Sequence, residues 1–181
     1  MQHGADGSTM LDFVGGPLYG PPALPTTRRI ESMYQDLGKL APNEFYDLVR
    51  RHYYSSPRPP LRYFAPNETS IAVHVRRGDI KPETTRWVEI SDVSACIDVM
   101  QQKLGGNASV HIFSDGTYEQ LASLQRHRPA LHLRDNVRVA FHHMVEASNF
   151  ITAPSSLSGT ISILRTHGIT AEASRGSACL G

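Results

Sequence analysis

Five short apolar runs, each ended by turn residues and separated from the next by a helix-length stretch, constrain this chain more than any other feature. They fall at 71–75, 109–113, 131–134, 149–153 and 169–173. Between them the spacing predicts helices at 91–104, near 117–125, at 137–147 and at 156–167. In the first of these, Val93, Ile97, Met100 and Leu104 recur at helical spacing and Gly105-Gly106 stops it. Gly168 closes the last helix. Repeated strand–helix units with short links predict an α/β fold, a Rossmann-like parallel sheet with flanking helices.

The sheet region occupies residues 61–181. Residues 1–27 read as an irregular segment, because Gly15-Gly16-Pro17, Gly20-Pro21-Pro22 and Pro25 interrupt regular structure. Residues 28–60 read as a helical extension with helices at 28–40 and 42–53. In the second, Phe45, Leu48, Val49 and His52 form a stripe, and Pro57, Pro59 and Pro60 make a stiff connector. Hydrophobic residues make up 40% of the chain and the net charge is +1, an ordinary globular composition. The near balance argues against nucleic acid as partner, which would favour a basic face. No apolar run reaches membrane-spanning length, and no signal-peptide apolar region stands at the N-terminus. The expectation is a soluble chain without an anchor.

The run at 71–75, Ile-Ala-Val-His-Val, ends in Arg76-Arg77-Gly78-Asp79. Two adjacent guanidinium groups are costly to hold together unless something anionic neutralises them, and the planar fork of arginine suits phosphate oxygens. Gly78 permits a tight turn, and Asp79 can cap the next element or orient one guanidinium. Ser114-Asp115-Gly116 follows the strand at 109–113, and Pro154-Ser155-Ser156 follows the strand at 149–153 and opens a helix. Ligands of an open parallel sheet bind beyond the carboxyl ends of its strands, so all three segments should meet at one edge. The chemistry there suits a phosphate or diphosphate.

His74-Val75-Arg76-Arg77-Gly78-Asp79 resembles the His-x-Arg-Arg-x-Asp motif of the fucosyltransferases that include the α1,2-, α1,6- and protein O-linking enzymes. Val110 to Asp115 and Ala153 to Ser158 agree with that family in order and rough spacing, and Tyr54 to Pro60 is similar to the approach to the motif in some members. The resemblance spans about residues 50–168. It implies the C-terminal, donor-binding half of a GT-B type glycosyltransferase, with GDP-fucose as donor, no required cofactor and an inverting, metal-independent transfer. It implies Arg76 and Arg77 as catalytic and diphosphate-binding groups, His74 and Asp115 as nucleoside contacts, Asp79 within the donor site, and Ser155, Ser156 and Ser158 as phosphate contacts. The acceptor it implies is a glycan or glycoprotein, and the compartment is the Golgi or ER. The motif begins at residue 74, which leaves no room before it for the acceptor domain of such enzymes, so a donor-binding portion that binds without turnover is the alternative function. Glu83 is the nearest acid after the motif and is assigned no role.

Other readings stay open on the residues alone. The arginine pair can be a structural ion-pair cluster with Asp79, and His74 can be a satisfied core histidine. Asp115 and the serines can be helix caps. A purely structural domain whose charged edge binds a partner is a third possibility. His142, His143 and Glu146 share a helix without a metal-ligand spacing set, so no metal site is expected. Cys96 lies on the apolar face of its helix and is expected as a buried free thiol rather than paired with Cys179.

Overall fold

A computed structural model describes residues 42–174 and 177–180. The expectations for residues 1–27 and for a helix at 28–40 lie outside the described residues. The chain divides into two compact units at Arg58/Pro59. In the first, helix α1 spans Pro42–Ser55, and its last turn is closed locally. The Ser56 hydroxyl donates to the His52 carbonyl at 2.7 Å, and the Arg58 guanidinium donates to the Tyr54 carbonyl at 2.6 Å.

The second unit is a six-stranded sheet of order β3-β2-β1-β4-β5-β6. The strands are β1 (Ser70–Val75), β2 (Ser109–Ser114), β3 (Ala130–Leu133), β4 (Asn149–Thr152), β5 (Thr170–Ser174) and β6 (Ser177–Leu180). Strands β1 to β5 are parallel, and β6 returns antiparallel along β5. Helices α2 (Ile90–Lys103), α3 (Val137–Glu146) and α4 (Ser156–Leu164) and a 3₁₀ segment (Glu119–His127) supply the crossovers. The fold is therefore an α/β, Rossmann-like one, with strand order reversing between β1 and β4.

Alternation along the strands divides the buried residues into two layers. Ile71, Val73, Val75, Val110, Ile112 and Ile151 pack with Val93, Ile97 and Met100 of α2 and with Leu121 and Leu124 of the 3₁₀ segment. The opposite face carries His74, His111 and Phe113, and here rings do much of the filling. Tyr63 lies between His132 and His143, with ring centroids 4.1 Å from each, and Phe113 stacks on His132 at 4.5 Å. The Tyr63 hydroxyl donates to Asp135 at 2.7 Å. His143 donates from Nδ1 to the Val139 carbonyl and accepts at Nε2 from the Arg62 amide, which fixes a neutral tautomer. That engagement makes His143 a strut of the fold.

Three features depart from the sequence expectations. Helix α4 ends at Leu164, not at 167, because Arg165 turns into extended backbone and sends its side chain to other carbonyls. Its Nη1 takes the carbonyls of Met144, Val145 and Ala147, and its Nη2 those of Ser148 and His167. A buried cation thus neutralises the exposed carbonyl end of α3. Gly168 serves the turn that follows, with φ at +69° and no room for a Cβ against the Ser148 carbonyl. Second, β5 is not the last strand: Ser177–Leu180 doubles back as β6. Third, Cys96 is not a free thiol. It is bonded to Cys179, with Cα atoms 4.7 Å apart, because the β5–β6 hairpin lies against α2 and brings the two together across 83 residues.

In the chain-entropy picture a loop of that length makes the disulfide worth about 4.5 kcal/mol. Cys179→Ser, or reduction of the wild type, should lower the urea midpoint and steepen the slope, because the unlinked denatured chain is more expanded. The histidines set an acid limit. Burial pushes His111 and His143 below the usual histidine range, and His132 to about 4. Each stays neutral in the native chain while the unfolded chain takes up a proton near 6.5, so stability is full above that pH. It should fall progressively between pH 6.5 and 4, measurable by urea unfolding at stepped pH.

Candidate functional site

The carboxyl ends of β1, β2 and β4 lie side by side. Val75 is in register with Ser114, and Val73 with Ile151, so Arg76, Asp115 and Ala153 emerge from neighbouring positions of one edge. The Ser114 hydroxyl donates to the Val75 carbonyl at 2.5 Å and accepts from the Gly116 amide, tying the two turns together. Between the ends of β1 and β4, where strand order reverses, lies a small open crevice. His74, Arg76 and Arg77 line it from β1, Thr152 and Ala153 from β4, and Arg86 from the loop before α2. Three of its lining residues are arginines and none carries a carboxylate.

The two arginines of the motif do different things. Arg77 is 4% exposed. Its guanidinium donates to the carbonyls of Arg76 and Val88, at 2.8 and 2.6 Å, and lies 4.0 Å from the centre of the Trp87 ring. Burial lowers its pKa from the ordinary arginine value, and Glu89 and Asp115 act in the opposite sense. Arg76 keeps 24% of its side chain exposed and pairs with Asp79 through both Nε and Nη2, the first at 2.7 Å. That pairing raises the Arg76 pKa and holds the Asp79 carboxyl below the usual carboxylate range.

Asp115 does not cap the 3₁₀ segment. That start is closed by Thr117 and Gln120, whose side chains accept from each other's amides at 3.4 and 2.9 Å. Asp115 instead accepts the Arg77 amide at 2.6 Å, bracing one strand-end turn against another. The approach is close enough to require glycine twice. A Cβ on Gly78 would lie 2.8 Å from the Asp115 carboxylate, and one on Gly116 would lie 2.8 Å from the Arg77 Cβ.

The serine segment forms a relay into the same edge. Ser155 is the N-cap of α4, accepting the Ser158 amide at 3.0 Å. Ser158 is 1% exposed. Its hydroxyl accepts the Ala153 amide at 3.1 Å and stands 2.7 Å from His74 Nδ1. The arrangement that satisfies all three groups has Ser158 donating to Nδ1, which leaves the proton of neutral His74 on Nε2. Burial pushes His74 down to about 4; Asp115 opposes this and the Arg76 charge adds to it. Ser156 is exposed at the first position of α4, where backbone amides have no partner within the helix. Ser158 therefore reaches the pocket through His74, whereas Ser155 and Ser156 are not among the residues that line it.

Sequence reasoning missed Arg86, Trp87 and Thr152. Thr152 carries a signal, since it is the last residue of a strand whose edge was already singled out. Arg86 and Trp87 carry none, because they lie in a loop without periodicity. Among the described residues no group of three or more His, Cys, Asp or Glu side chains could hold a metal ion, and no helix is long and apolar enough to cross a membrane.

No family model matches the chain, and no curated protein matches it. Among solved structures it is similar to a crystal structure of POFUT1 in complex with GDP, at 17% identity and a TM-score of 0.42 over 58% of this chain and 43% of that one. A second crystal form of that complex gives 16% identity and a TM-score of 0.39, over 56% and 41%. The chain spans less than half the length of either.

The closeness of the two turns makes Gly78→Ala a sharp probe. It should push Asp115 off the Arg77 amide and lower stability by roughly 1–3 kcal/mol, the usual range for overpacking. Thermal unfolding checks this. His74 has its own signature: its ring resonances should report a neutral imidazole down to about pH 4, and Ser158→Ala should shift that titration.

Proposed function

We propose that residues 59–181 form the donor site for a nucleoside diphosphate sugar, with GDP-fucose as the donor, in the C-terminal half of a GT-B type fucosyltransferase. The observation that carries this is the pocket at the β1/β4 reversal, lined by three arginines and no carboxylate. In open α/β sheets that crevice is where nucleotides bind. Helix α4 starts three residues beyond Ala153 of that pocket and offers backbone amides to phosphate oxygens. Together these favour a dianionic or more highly charged phosphate group over a neutral ligand. Guanosine and fucose come from the motif resemblance.

In this reading Arg76 exchanges Asp79 for the diphosphate. As the bond between the sugar anomeric carbon and the β-phosphate oxygen breaks, Arg76 stabilises the charge left on GDP. An acceptor hydroxyl forms the new anomeric bond with inversion, and its proton passes to a base. Arg77 holds the loop and contributes its charge from behind. His74 and Asp115 face the nucleoside side of the site, and Ser155 and Ser156 the phosphate side. Arginine supplies the charge that a divalent ion would otherwise bring, so the transfer is proposed as metal-independent. The acceptor is a glycan or glycoprotein, and the Cys96–Cys179 disulfide fits the oxidising secretory pathway.

A second reading, donor binding without turnover, draws on a specific observation. The carboxylates beside the pocket are both committed, Asp79 to Arg76 and Asp115 to the Arg77 amide. His74 is buried and bonded at Nδ1. None of them stands ready to take the acceptor proton.

Calorimetric titration with GDP and GDP-fucose, in EDTA, tests the site. Wild type should bind in the micromolar range, and Arg76→Ala should weaken binding roughly ten- to a hundred-fold, the worth of a charge-assisted contact. Failure of a folded wild type to bind either nucleotide would reject the donor site. Binding without transfer to any glycan or glycoprotein acceptor would favour the second reading.

A further inference from the structure

The loop between β1 and α2 is built to hold a third arginine at the pocket. Arg77 fastens it from beneath through the Val88 carbonyl and the Trp87 ring. The Trp87 indole N–H donates in turn to Glu89 at 3.0 Å, and Val88 is buried. Residues 87–89 are thus fixed against the sheet edge, and residue 86 leaves that anchor with its side chain on the pocket wall.

The three guanidiniums there are not equivalent. The two terminal nitrogens of Arg77 are engaged with carbonyls, and the group is buried beneath the wall. Arg76 already has a bidentate carboxylate. Arg86 is exposed, and among the described residues no hydrogen bond or ion pair holds its guanidinium. It lies near enough to Asp79 to help hold that carboxyl low. One phosphate group can be met by Arg76 and the start of α4. A second cation with open donors on the same pocket has no use for a monophosphate and a direct one for a diphosphate.

We infer that Arg86 is a ligand-binding residue that reads the second phosphate, so that this pocket selects diphosphates over monophosphates. The inference deepens the donor site proposed above and rests on it for guanosine, but not for the diphosphate.

The test is calorimetric titration of the full chain, wild type, Arg86→Ala and Arg86→Lys, with GDP, GMP, inorganic pyrophosphate and inorganic phosphate. Arg86 is exposed, so both variants should keep the wild-type melting temperature, which is measured alongside. Wild type should prefer GDP to GMP and pyrophosphate to phosphate. Arg86→Ala should lose about tenfold or more for GDP and pyrophosphate and less than about threefold for GMP and phosphate. Arg86→Lys should recover part of the preference, keeping the charge but not the fork. Equal losses for diphosphates and monophosphates, or no loss, would overturn the inference. Pyrophosphate binding that depends on Arg86, with no binding of GDP, would sink the GDP-sugar site and leave the diphosphate selection standing. A folded wild type that binds none of the four would overturn both.

Discussion

The buried guanidinium of Arg77 is the interaction on which the rest of the site depends. Removing a cation from water is costly, and an arginine can be held inside only where its donors and its flat faces all find partners. Here the Arg76 and Val88 carbonyls accept from it and Trp87 covers one face. The consequence extends well beyond one residue. The Val88 bond ties the loop before α2 to the strand end, which puts Arg86 on the pocket wall. The Arg77 amide is held by Asp115, which locks the β1 turn against the β2 turn. Two glycines exist at their positions because those turns approach so closely.

A second buried arginine does comparable work at the opposite end of the sheet. Arg165 gathers the carbonyl end of α3, the entry to β4 and the turn into β5. Both arginines replace what short polar caps do elsewhere, satisfying several carbonyls from one side chain. The strand ends near the pocket and the strand starts near Arg165 are thereby fixed independently. The three turns at the carboxyl edge then need no reorganisation of the sheet to stay in register, which is the pre-organisation the proposed donor site would gain most from.

The order of strands and helices was legible because hydrophobic period records which face each element buries. Strand polarity then placed the three candidate segments on one edge, without knowledge of any side-chain contact. What escaped sequence reasoning was every pairing made at long range. Cys96 reads as an ordinary apolar-face residue, and nothing local says that a hairpin will bring Cys179 to it. Ser177–Leu180 is too short and too mixed to announce itself as a strand. Arg165 sits where helical spacing still continues, and only the carbonyls of α3, distant in sequence, explain why the helix stops at Leu164. Arg86 is invisible for the same reason: its place is set by Val88 and Trp87, and theirs by Arg77.

The doubled arginine itself has a physical logic that the linear motif conceals. Consecutive residues at the end of a strand point to opposite sides. Two arginines in succession beyond a buried strand must therefore part, one toward the protein and one toward the crevice. The one facing inward has to be satisfied by backbone and rings, and it becomes a strut. The one facing outward can meet a ligand only if something holds it meanwhile, which here is Asp79, three residues on and exposed. A carboxylate so placed keeps Arg76 extended and yields it easily, because an exposed ion pair is worth little in water. Lysine could not replace the strut, since it lacks both the fork for two carbonyls and the flat face for the indole. It could replace the outer arginine only in part. The motif is thus a support and, in the function proposed here, a reader in adjacent positions, with Asp79 spaced to hold the outer arginine.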